Sequence, residues 1–124
     1  MTREAGTAPR KDHAWHLVLG LALWFAWFCA TYGGLAAACS VAPPPPGAGP
    51  LTWLNAVALL VAAVCTAGFG GAAWACARAA RQERAHAAAV RRRFIARSSA
   101  WLYAIAALST ALVALPAVLL PPCV

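Results

Sequence analysis

Three long runs of apolar residues dominate the chain, from Trp15 to Cys39, from Leu51 to Ala77 and from Ser98 to Leu120. Each exceeds the roughly 20 residues that a helix needs to cross about 30 Å of hydrocarbon. None contains Asp, Glu, Lys or Arg. The apolar positions fall on every face instead of alternating in segments of about ten, so the pattern predicts spanning helices and excludes spanning strands. The resulting fold class is an all-α membrane protein with three transmembrane helices over 15–40, 51–77 and 98–120. A tail over 1–14, a loop over 41–50, a connection over 78–97 and a short end over 121–124 complete the chain.

The two connections differ in kind. The first reads VAPPPPGAGP, and four consecutive prolines cannot continue a helix, so the first span must stop near Cys39. The second is rich in Ala and Arg and has no Gly or Pro, so it is expected to be largely helical, with a break between Arg93 and Ser99 before the third span.

Composition agrees with lipid as the solvent. Of 124 residues, 63% are hydrophobic and 10% charged, against roughly 45–50% apolar in soluble domains. A soluble fold of this size would leave the excess facing water. The net charge of +7 raises the question of nucleic acid, but its placement answers it. Arg3, Arg10 and Lys11 precede the first run, and Arg78, Arg81, Arg84, Arg91, Arg92, Arg93 and Arg97 lie between the second and third. Basic residues are retained in the cytoplasm, so the N-terminus is placed inside and the C-terminus outside, and no nucleic-acid partner is expected.

That topology brings Cys39 and Cys123 to the same outer face, where a disulfide would persist and tie helix one to helix three. Two separate buried thiols are the alternative. A lipoprotein signal ending at Cys39 is disfavoured, because Ala36 stands where a larger aliphatic is usual and the run is too long. Cys29, Cys65 and Cys76 form no C-x-x-C pair, and His13, His16 and His86 flank the spans instead of entering mid-bilayer. No catalytic, cofactor or metal residue is therefore assigned. Proton relays and ion pathways use intramembrane ionisable groups, which these spans lack.

Trp15, Trp53, Trp74 and Trp101 stand at span ends as interfacial anchors. Trp24 and Trp27 stand near mid-bilayer, where an indole N–H finds no water; Thr66 and Thr110 fall at the depth of Trp27 and offer a hydrogen bond. Small residues four apart, Gly33 with Ala37, Gly34 with Ala38, Ala67 with Gly71 and Gly68 with Ala72, allow close approach of backbones. They serve either packing within the bundle or docking on another membrane protein. Phe25, Phe28, Tyr32, Leu35 and Cys39 form one helical stripe, expected to be the seam with helix three if Cys39 is bridged. Pro116 is expected to bend the third helix.

The run LALWFAWFCATYGGLAAAC, with Trp24, Tyr32 and Cys39, and the closing PPC resemble small proteobacterial multi-helix membrane proteins encoded alongside haem–copper cytochrome c oxidases. Trp27 stands where that family is expected to carry histidine. The resemblance implies a bacterial inner-membrane location and a non-catalytic accessory subunit or assembly factor of a respiratory oxidase. Its partners would be the lipid bilayer and another integral membrane protein or complex. Two other readings stay open: a thiol-active membrane enzyme or metal chaperone using the outer cysteines, and a small oligomeric channel or transporter.

Overall fold

The computed structural model describes residues 15–82 and 87–123. The expected tail over 1–14, together with Arg84, His86 and Val124, lies outside the described residues. Four helical elements follow in order: α1 (Trp15–Val41), α2 (Trp53–Gln82), α3 (Ala87–Ala114) and α4 (Pro116–Leu119). No strand occurs among the described residues. Three segments are long and apolar enough to cross a membrane: Leu17–Val41, Trp53–Gln82 and Ala89–Leu119, the last running through the join of α3 and α4. The chain is an all-α membrane protein.

Few side chains are buried, and large apolar ones such as Leu60, Leu108 and Leu112 face outward all around the bundle. In water such a surface would drive aggregation; in lipid it costs nothing. Trp15, Trp53, Trp74 and Trp101 are also exposed, as interfacial anchors should be.

What interior exists is a seam between α2 and α3, with α1 leaning mainly on α3. On α3 the inward positions are Ala89, Arg92, Ala96, Ser99, Tyr103, Ala106 and Thr110, advancing alternately by three and four residues. The facing stripe on α2 runs Ala58, Ala62, Cys65, Phe69, Ala72 and Cys76 with the same alternation. A repeat averaging 3.5 residues keeps one face of each helix turned to its neighbour. Phe69 and Tyr103 stack with centroids 6.4 Å apart and anchor a cluster with Cys76 and Ala106. Small residues elsewhere on the seam let the two backbones lie close.

This seam explains a departure from expectation. No break occurs between Arg93 and Ser99, because α3 is continuous from Ala87 to Ala114. Ala96 and Ser99 in that stretch are among the most deeply buried residues of the chain, so packing on α2 extends the helix beyond the apolar run. α2 itself extends to Gln82, past the end of the second apolar run.

At the other end, the third span stops being regular near Leu115. Pro116 lacks an N–H and its ring opposes the carbonyl four residues back. Leu115 N accordingly donates to Leu112 O at 3.2 Å, a three-residue step, before the single turn of α4. Leu120 is extended, and Pro121 and Pro122 follow outside any helix.

Candidate functional site

The end of the bundle that carries the proline-rich loop is built by a polar clasp. Thr52 caps α2, its Oγ1 accepting from Asn55 N at 3.4 Å. Before it, the loop turns through Pro46 and Gly47, where Ala48 N donates to Pro45 O at 3.1 Å and Gly47 takes φ +87°. That order of Pro then Gly is what a type II turn requires. Asn55 is 3% exposed. Its Nδ2 donates to Pro50 O at 2.9 Å and to Leu120 O at 3.0 Å, joining the loop to the tail that follows α4. Asn55 is absent from the sequence-based expectations, which weighed charged groups and the polar residues near mid-bilayer but not an amide at a span end. As the chain's single asparagine, one turn inside an apolar run, it was nevertheless a visible signal.

The second half of the clasp is covalent. Cys39 and Cys123 form a disulfide with Cα atoms 5.6 Å apart. Cys29, Cys65 and Cys76 are free. The bridge does not bring the expected seam with it. Phe25 is 63% and Tyr32 48% exposed, while Trp24 packs on the Phe69–Tyr103 cluster and Gly20 is buried. Gly20, Trp24 and Trp27 are the residues of α1 that turn towards the bundle, so Phe25 and Tyr32, expected on the seam with helix three, face outward instead, while Phe28 and Leu35 are half-buried. Two physical reasons account for this. Phe28 stacks on Trp24 and meets Tyr32 at a tilt, with centroids 5.5 and 4.6 Å apart, so these rings pack on one another along α1 itself. Cys123 sits on an extended tail, which reaches across to Cys39 without turning the helix.

Gly20 is the close-approach glycine of the fold. A Cβ there would stand 3.0 Å from Tyr103 Cε1 and 3.2 Å from Cδ1. Gly33, Gly34, Gly68 and Gly71 behave otherwise, for nothing lies within 4 Å of the Cβ that each lacks. Ala67 is exposed with them, and of the residues expected to pack the bundle only Ala72 touches its core.

The expected mid-membrane hydrogen bond is also absent. Thr110 is fully buried, but its Oγ1 donates to Ala106 O of its own helix at 2.8 Å. Thr66 is half-buried. The indole nitrogens of Trp24 and Trp27 are buried without a partner. A threonine on a helix reaches its own carbonyl more readily than a neighbour's donor, so equal depth did not produce a bond. Trp27, 8% exposed, instead forms part of the wall of a cavity of about 170 Å³ with Thr31, Asn55, Ala62 and Val113. The space lies where α1 and α2 meet little and the third span is interrupted between Ala114 and Pro116. Its walls are almost wholly apolar.

Among the described residues no three His, Cys, Asp or Glu side chains stand together. Comparison with family models, curated proteins and solved structures gives no match to this chain.

Proposed function

We propose that the chain is a non-catalytic accessory subunit or assembly factor of a larger complex in the bacterial cytoplasmic membrane, with its N-terminus inside. The outward glycines support this reading most. Glycine inside a helix costs up to about 1 kcal/mol relative to alanine, and Gly33, Gly34, Gly68 and Gly71 recover nothing within the chain. Bare backbone on two helices is suited to close contact with further helices, where association depends on van der Waals packing. Three apolar runs without Asp, Glu, Lys or Arg fit a scaffold better than a transport pathway. The complex we favour is a respiratory haem–copper oxidase, a choice that rests on the likeness of helix one and the closing PPC to proteins encoded beside such enzymes.

The test is purification of the tagged full chain from native membranes in mild detergent, read by mass spectrometry and by the haem absorption of the product. A haem-containing oxidase should accompany the chain and be lost from Gly34→Leu or Gly68→Leu without loss of helicity. Recovery of the chain alone overturns the proposal. Reporter fusions near Gly47 and Arg81 read the orientation: outside and inside, respectively.

A further inference from the structure

We propose that the groove between α2 and α3 at their arginine-bearing end is a binding site for an anionic phospholipid, its phosphate held by Arg81, Arg93 and Arg97. The groove has a volume of about 540 Å³ and is lined by these three arginines, by Trp74 and Trp101, and by a floor of alanines that includes Ala77 and Ala100. That volume lies within the roughly 300–1,000 Å³ of small-molecule sites.

The sequence builds the site through helical repeats. Arg93, Arg97 and Trp101 recur every four residues and so form one stripe on α3, while Ala73, Ala77 and Arg81 do the same on α2. Because the two helices run antiparallel, both arginine ends meet. Alanine on both sides keeps the space between the stripes unfilled. Arg78 does not line the groove; its guanidinium lies 5.3 Å from the centroid of the Trp74 ring that forms one wall.

Depth matches a lipid headgroup. From Trp53 to Trp74 the helix rises about 31 Å, the thickness of the hydrocarbon core, so both tryptophans stand at its boundaries. Arg97 is one turn beyond Trp101, about 6 Å into the headgroup layer. Arg81 and Arg93 lie farther out, and their long side chains reach back towards it. The alanine floor below is left for the acyl chains.

Charge complementarity selects an anion. The connection over 78–97 carries seven arginines and one acidic residue, Glu83, so its own carboxylate cannot neutralise the groove. A guanidinium offers paired N–H donors that match phosphate oxygens, and three of them from two helices surround one phosphate better than a single basic helix does. Positive charge retained for topology would be satisfied by scattered residues; here three line one groove between two interfacial tryptophans.

The experiment is native mass spectrometry of the full chain in neutral detergent, titrated with phosphatidylglycerol, with phosphatidylcholine, or with millimolar inorganic phosphate. One phosphatidylglycerol should be retained per chain, in preference to phosphatidylcholine. R81Q, R93Q and R97Q should each weaken retention about fivefold, and the triple variant roughly 100-fold, while R91Q, equal in charge but outside the groove, changes it less than twofold. R93K/R97K, which keeps the charge and gives up the paired donors, should fall between the parent and R93Q/R97Q, and it serves if the triple variant fails to fold. Equal losses in R91Q and R97Q would show bulk charge at work and overturn the site. Displacement of the lipid by inorganic phosphate would show a soluble-anion site and overturn the lipid. Equal retention of phosphatidylcholine would remove the role of charge.

Discussion

Asn55 and the disulfide hold the same piece of chain, and this makes a measurable prediction. Asn55→Ala removes two hydrogen bonds, to Pro50 O at 2.9 Å and to Leu120 O at 3.0 Å, and leaves two partly buried carbonyls without their donor. A net 0.5–1.5 kcal/mol per bond, with membrane proteins averaging about 0.6, places the total cost at about 1–3 kcal/mol. The second bond exists only while residue 120 stays beside α2. The bridge from Cys123 to Cys39 begins three residues later and restricts where the tail can go. With the bridge removed, the tail's freedom opposes the Asn55–Leu120 bond, so the same substitution should cost less in a C39S/C123S background. The expected coupling is about 0.5–1.5 kcal/mol, within the range for groups that share a partner. Unfolding of the four proteins by sodium dodecyl sulfate in mixed micelles, followed by tryptophan fluorescence and circular dichroism, closes the cycle. A cost below about 0.5 kcal/mol for Asn55→Ala would refute the clasp. An undiminished cost in the bridge-free background would refute the coupling.

The bridge itself is read by thiol counting: the denatured chain should take up three maleimides before reduction, on Cys29, Cys65 and Cys76, and five after. Five before reduction would eliminate it. Its loss should cost less than the ceiling of about 4.5 kcal/mol that chain entropy sets for a separation of 84 residues, because helices that stay inserted already confine the unfolded chain. Gly20→Leu should destabilise the bundle by about 1–3 kcal/mol, since its side chain must displace the Tyr103 ring, whereas Gly33→Leu, facing open space, should change the stability of the isolated chain by less than about 0.5 kcal/mol. Equal effects at the two glycines would mean that α1 does not dock on α3 through Tyr103.

Helix faces separate what the sequence makes legible from what it leaves hidden. In a soluble helix the apolar stripe is the buried one, and periodicity reveals it. In lipid both faces are apolar, so Phe25 and Tyr32 read as well for a seam as Gly20 and Trp24, and only contacts tell them apart. The alternation of small and inward residues along α3, from Ala89 to Thr110, was present in the letters but blends into a chain full of alanine. Asn55 was legible in principle, as the lone asparagine of the chain near a span end; its two carbonyl partners were not, one of them being 65 residues away.

By itself the sequence determined the solvent, the element type and the number of crossings. Backbone groups in hydrocarbon must bond within their own segment, and three apolar runs of sufficient length leave no other solution. It also determined the end of α1 at the proline run and the interruption of the third helix at Pro116, because a missing N–H acts locally. Tertiary structure alone decided which face of each helix is inside, that α3 continues past its arginines, that Gly20 is packed while Gly33 and Gly68 are bare, and that three arginines converge on one groove. These depend on rotations of one helix against another, set by close packing among residues far apart in the chain, for which hydrophobicity in a membrane provides no gradient.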